Sequence, residues 1–193
     1  MPRSQPGVFA LRSQLSKRLK LLSNNNTQAM LTVIKRGLEK ESLRITPSGK
    51  LAKTFHPSGL GSALTHPYIT TDFSESLLEF ITPVSTDILE TLNYLDNIHR
   101  FVYSQLQTEQ LWAASMPCAI DGSDSDIPIA QYGSSNVATM KTTYRKGLGN
   151  RYGRLMQIIA GIHYNFSLPE TLWTAIQQQD EDKQPLQDYI TEG

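Results

Sequence analysis

The chain has 193 residues, 39% apolar and 19% charged, with Lys plus Arg equal to Asp plus Glu and a net charge of zero. That length suffices for one domain with a real core and hardly for two, and the balance of charge speaks against a nucleic-acid binder. No apolar run is long enough to span a bilayer, and the single cysteine, Cys118, leaves no internal disulfide and fits a reducing, cytoplasmic setting as a buried, inert thiol.

The neutral total hides an asymmetry. Residues 1–38 hold seven Lys or Arg and no acid, while the rest carries 11 bases and 18 acids. A basic start of this kind occurs in organelle transit peptides. Here, though, "LRSQLSKRLKLL" repeats Leu11, Leu15, Leu19 and Leu22 at helical spacing. That spacing predicts a short amphipathic helix after a loose tail at residues 1–12. With no long apolar stretch and no small-residue cleavage site, a secretory signal is not expected.

"LTVIKRGLEKESLRI" reads as a strand closed by the turn "TPSGK". Loop-rich sequence with Pro57, Gly59, Gly61 and Pro67 leads to a second strand, "ESLLEFIT", stopped at Pro83. "STDILETLNYLDNIHRFVYSQL" is a helix with Ile88, Leu92, Leu95, Phe101, Val102 and Leu106 on one side and a capping box from Asp87 and Glu90. After the polar loop "DGSDSDIP", "TMKTTYRKGLGNRYGRLMQIIA" reads as a glycine-interrupted helix with a stripe of Met140, Tyr144, Leu148, Leu155 and Ile159. "GIHYNFSL" alternates as a strand, with His163, Asn165 and Ser167 facing one way. The end, "QQQDEDKQPLQDYITEG", is polar.

Residues i and i+2 of a strand share a face. The strands therefore present Glu39 with Glu41, Glu75 with Glu79, and His163 with Asn165, with Asp72 just ahead of the second pair. Crowded carboxylates must protonate, pair with bases or bind cations, and oxygen donors suit hard divalent cations. An edge strand with solvated charges would read the same way. Between Ile127 and Pro169 the chain has no acid and five bases, Lys141, Arg145, Lys146, Arg151 and Arg154. Arg145 and Arg151 are candidates to hold an anionic substrate beside the acids, although a solvated helix face has the same pattern. The P-loop pattern is absent, and Gly147, Gly149 and Gly153 miss G-x-G-x-x-G by one residue. H-E-x-x-H and G-x-S-x-G are absent too.

Six blocks taken together, "RGLEKESLRI", "LGSALTHPYITTDFSESLLEFITPV", "SMPC", "IAQYGSSN", "YRKGLGNRYG" and "MQIIAGIHYNFSLP", resemble the proteobacterial class of the glutamate–cysteine ligase family from about Leu15 to Pro169. The resemblance implies an α+β fold similar to glutamine synthetase, a curled antiparallel sheet with flanking helices. Residues 13–193 would form the N-terminal portion of the catalytic domain. It implies ATP-dependent joining of the γ-carboxylate of L-glutamate to the amine of L-cysteine, the first step of glutathione synthesis, with Mg²⁺ or Mn²⁺ as cofactor and neither nucleic acid nor membrane as partner. The family's metal ligands map onto Glu39, Glu41, Asp72, Glu79 and His163, with Glu75 outside the set. Its cysteine pocket maps onto Tyr144, Leu148 and Gln157. Family members are much longer, so further glutamate, metal and nucleotide ligands are expected in a C-terminal half that this chain lacks. Another carboxylate–amine ligase of the same fold, or a non-catalytic fragment that binds metal or a partner, remain the other readings.

Overall fold

The structure, a computed structural model, describes residues 8–192. In chain order its elements are α1 (Val8–Leu22), α2 (Asn25–Leu31), β1 (Lys35–Ile45), β2 (Ile69–Thr71), β3 (Leu77–Ile81), α3 (Ile88–Gln105), β4 (Gln110–Leu111), α4 (Asn136–Tyr152), β5 (Ile162–Ser167), α5 (Glu170–Gln179) and α6 (Leu186–Glu192). They divide into two units, one of residues up to 35 with those from 166 on, the other of residues 36–165. No described helix is long and apolar enough to cross a membrane.

The larger unit is built on β1. It runs antiparallel to β3 and to β4, β2 runs antiparallel to β3, and β5 also pairs with β1. This is the expected α+β arrangement, an open antiparallel sheet with helices beside it. Backbone groups of successive strand residues point to opposite edges. The Arg44 N–H donates to Ser76 O on the β3 side, whereas Glu41 N–H donates to Gly161 O and Leu43 O accepts from Trp112 N–H on the other. β4 and β5 thus share the edge that β3 leaves free. The strand starts later than its apolar run suggests. Asn24 caps α2 by accepting from Asn26 N–H, and this helix takes up the segment to Leu31. The "TPSGK" turn forms as expected, with Gly49 at φ 78° and Thr46 N–H bonded to Lys50 O.

Alternation sorts the sheet into two faces. One carries Leu78 and Phe80 with Ile69, and on these α3 lays Ile98 and Val102. The other carries Leu43, Ile45 and Leu77, packed with Phe73, Cys118, Ile127 and Ile158. Only part of the expected α3 stripe is buried: Ile88, Leu92 and Phe101 are exposed. Eighteen helical residues span about 27 Å and the five-residue strand beneath about 17 Å, so the helix outruns its support. The capping box is half formed. Asp87 accepts from Leu89 and Glu90 N–H, but the Glu90 carboxylate takes the Ser85 hydroxyl instead of the Asp87 amide.

α4 departs most from expectation. Met140 and Tyr144 are each 65% exposed and Leu155 is exposed too. Of the predicted stripe, Leu148 is the member packed on the core. The helix seats itself through small residues, Ala138 and Thr142, the latter donating to Ala130 O at 3.1 Å, and so turns its large side chains outward. Gly149 lets the helix sit close here: a Cβ would stand 3.4 Å from Phe73 and 3.2 Å from the Arg154 side chain, which would have to give by a few tenths of an ångström. Gly153 at φ 79° ends the helix, and residues 155–158 form a separate 3-10 turn.

The smaller unit gathers α1, α2, α5 and α6 around Leu172, Ile176 and Tyr189. The polar end of the sequence therefore contributes to a core. Asp180 joins the two chain ends, accepting from Arg18 at 2.8 Å and from the Tyr189 hydroxyl at 2.7 Å. Of the expected tail, residues 1–7 lie outside the described residues and 8–12 belong to α1.

Candidate functional site

On the face of the sheet that carries Leu43 and Leu77, apolar gives way to acidic two residues before Leu43 in β1 and two after Leu77 in β3. The β1–β3 register sets Glu41 directly opposite Glu79, and Thr70 of β2 lies opposite Glu79 in turn. Opposed antiparallel residues have Cβ atoms about 4.5–5.5 Å apart, where like charges repel. Glu39 projects beside Glu41 by the period of two, and Asp72 follows the last residue of β2.

β5 supplies the partners. Glu39 accepts from Asn165 Nδ2 at 2.8 Å through Oε1 and meets His163 Nδ1 at 3.2 Å through Oε2. Glu41 Oε2 accepts the Gly161 amide at 2.7 Å. Burial pushes the Glu79 carboxyl up to about 7, and Asp72, Glu39 and Glu41 push the same way while His163 opposes them. Burial likewise raises Glu41 above the usual carboxylate range, against the Gly161 hydrogen bond. The bond to Glu39 raises the His163 imidazole.

Glu39, Glu41, Asp72, Glu79 and His163 therefore meet in one neighbourhood. Among the described residues, no three His, Cys, Asp or Glu side chains already converge as a ligand set for one ion. Hydrogen bonds from β5 hold Glu39, and one from Gly161, just ahead of that strand, holds Glu41. The chemistry of the donors still suits a hard cation, because the site is rich in carboxylate oxygen and short of base. Two of the donors approach one point: a Cβ added at Gly161 would stand at ordinary contact distance from both, 3.5 Å from His163 Nε2 and 3.6 Å from Glu41 Oε2.

Glu75 does not share this face with Glu79. It lies in the turn before β3, is 4% exposed, and accepts the His56 and Gln131 amides at 2.8 and 2.7 Å. The expected second same-face pair fails because the strand starts at Leu77, after the turn has rotated Glu75 away.

The cationic candidates separate. Arg145 reaches the backbone of Asp72, with Nε bonded to Asp72 O and its guanidinium 4.8 Å over the Tyr132 ring, which Lys141 also approaches at 5.1 Å. The Tyr132 hydroxyl donates to Thr71 O at 2.6 Å and lies 3.0 Å from Asp72 O. Arg151, exposed at the far end of α4, lies over Tyr152 instead. Arg154 is occupied by Ser125 O and Ile127 O. Leu148 packs on the cluster of Leu43, Phe73 and Leu77 that borders the acids, and Ile158, next to Gln157, belongs to the same cluster. Tyr144, one turn before Leu148, stands exposed.

Sequence reasoning passed over Tyr132 and Arg44. Tyr132 stands in "IAQYGSSN", where no local pattern marks its ring as the seat of Arg145 and Lys141. Arg44 is a fully buried cation in β1, and no sequence pattern distinguishes it from the exposed bases nearby.

The family model described as glutamate–cysteine ligase matches residues 19–193. The chain is 61% identical over 177 residues to a glutamate–cysteine ligase of Alcanivorax borkumensis, covering 92% of this chain and 34% of that one. It is 54% identical over 167 residues to that of Azotobacter vinelandii, covering 86% and 31%. Among solved structures it is similar to the Francisella tularensis glutamate–cysteine ligase in complex with AMP, with TM-score 0.74 and 44% identity over 78% of this chain and 30% of that one. It is also similar to a bifunctional glutathione synthetase from Pasteurella multocida, with TM-score 0.75 and 33% identity over 91% and 22%. The chain spans about a third of the length of the curated relatives it matches.

Proposed function

The chain belongs to the glutamate–cysteine ligase family, and we propose that it forms part of the active site of an ATP-dependent ligase joining the γ-carboxylate of L-glutamate to the amine of L-cysteine. The observation that carries this reading is the register that brings Glu41 against Glu79, with Glu39, Asp72 and His163 around them. The AMP complex of the Francisella relative supports nucleotide use.

A free carboxylate is a poor acyl donor. In the proposed reaction it takes the γ-phosphoryl group of ATP, giving γ-glutamyl phosphate and ADP. The cysteine amine then attacks the acyl carbon, the C–N bond forms, the C–O bond to phosphate breaks, and the amine loses a proton. Glu39, Glu41, Asp72, Glu79 and His163 would hold Mg²⁺ or Mn²⁺, whose charge, when the ion is bound, offsets that of the phosphates. Arg145, bonded to the Asp72 carbonyl and stacked with Lys141 on the Tyr132 ring, would supply positive charge for phosphate oxygens. Tyr144, Leu148 and Gln157 would line the cysteine side and orient its amine. Cys118 has no part in this scheme: it is 6% exposed, and burial raises its thiol pKa. A cytoplasmic location belongs to the same reading.

The test is ADP release dependent on both amino acids, measured on the 193 residues alone and on the same residues joined in frame to the remaining two thirds of the Alcanivorax relative. The chimera should turn over and the short chain should not. Turnover by the short chain would mean that the essential residues have been misassigned; a folded but silent chimera would sink the proposed activity. In the active chimera, Tyr144→Ala and Gln157→Ala should raise KM for cysteine about tenfold and leave KM for ATP near its starting value. Equal losses for all three substrates would remove these two residues from the cysteine side.

A further inference from the structure

Asn165 of β5 is bonded to a proposed metal ligand, yet this reaction scheme gives it no role. Asn165 Nδ2 donates to Glu39 Oε1 at 2.8 Å, and Glu39 Oε2 lies 3.2 Å from His163 Nδ1. A carboxylate can only accept. The amide must therefore present its nitrogen, and Nδ1 of His163 must carry a proton. In the neutral imidazole the lone pair is then on Nε2. That atom and Glu41 Oε2 both lie close to Gly161, 3.5 and 3.6 Å from the position a Cβ would take there. The groups form one relay, from the Asn165 amide through the two oxygens of Glu39 to the two ring nitrogens of His163, which ends beside Glu41 Oε2 at Gly161.

We propose that Asn165 is a positioning residue for this cluster. By occupying Oε1 it sets the plane of the Glu39 carboxylate, aims Oε2 at His163, and keeps the imidazole in the tautomer whose Nε2 can meet a cation. The inference rests on the reading of the cluster as a divalent-cation site. Partners of this kind, one shell behind the ligands, typically change metal affinity about 10- to 100-fold when removed. Asn165 is exposed, so its replacement leaves the core intact and its effect can be read without unfolding.

The experiment uses Mn²⁺ alone, titrated into the chain, with free ion measured by electron paramagnetic resonance. Asn165→Leu keeps the shape and removes the donor; Asn165→Gln restores an amide; Glu41→Gln is the control for the cluster. Asn165→Leu should weaken Mn²⁺ binding about tenfold or more and Asn165→Gln should recover most of the loss, with an unchanged melting temperature without metal. Nitrogen-15 shifts of the neutral His163 ring should report Nδ1–H in the original chain and a mixture of tautomers in Asn165→Leu. Original affinity in Asn165→Leu, with affinity lost in Glu41→Gln, overturns the role of Asn165 and leaves the cation site standing. No Mn²⁺ uptake by the original chain, or uptake untouched by Glu41→Gln, overturns the cation site and the inference with it.

Discussion

Glu79→Gln should abolish ligation in the active chimera and at the same time stabilise the metal-free chain at pH 8. Both results follow from the same crowding. Glu79 titrates near 7 because burial, then Asp72, Glu39 and Glu41, oppose its charge. A carboxyl whose folded pKa is raised binds more protons folded than unfolded between the two values. Its contribution to stability is full below the unfolded value near 4.5 and is lost as pH rises through about 7. Glu41 and His163, also raised, act with the same sign. The metal-free chain should therefore melt at progressively lower temperature from pH 5 to pH 8. Glu79→Gln, neutral and of the same shape, should flatten that decline. A divalent ion should reverse it, because ionised carboxylates bind metal and protonated ones do not. Melting curves at pH 5, 6, 7 and 8, with chelator and with Mg²⁺, measure all three. An undiminished slope in Glu79→Gln would mean that another group carries the pH dependence, and full turnover by the variant chimera would remove Glu79 from the site.

The largest expected loss of stability comes from Arg44→Ala. The Arg44 guanidinium is 1% exposed and pairs with Glu109 at 2.5 Å. It also donates to the Thr54 hydroxyl at 2.6 Å, Thr54 O at 2.8 Å and Glu75 O at 3.0 Å. One side chain of β1 thus ties together the segment after the first turn, the turn before β3 and the approach to β4. Removing one partner of a buried ion pair strands the other and costs about 3–5 kcal/mol, a large part of a typical domain stability of about 5–15 kcal/mol. Urea unfolding should show this as a fall in the midpoint. Arg44→Met combined with Glu109→Leu should regain a good part, since an apolar replacement for both leaves no buried charge behind. A loss below about 1 kcal/mol for Arg44→Ala would show that the clamp is dispensable.

The strand reading of "RGLEKESLRI" and "GIHYNFSL" needed no tertiary information, because strict alternation sets which side chains share a face. The same-face pair Glu39 and Glu41 followed from it. The failures share a cause. Glu75 and Glu79 are four apart in sequence, and parity groups them only if a single strand covers both; a turn at residues 75–76 breaks it. Met140 and Tyr144 recur at helical spacing as core residues do, yet α4 packs through Ala138 and Thr142.

By itself, the sequence determined the fold class, the faces of β1 and β5 and the family, since those are written in local periodicity and in ordered blocks of residue types. Tertiary structure alone decided that Glu41 faces Glu79, that Arg145 and not Arg151 stands beside Asp72, and that Asn165 and His163 hold Glu39. It also decided that the charged Arg44 is fully buried. Pairing across a sheet depends on register between strands distant in the chain. One residue of slip would turn Glu79 to the opposite face, and no local pattern records that choice.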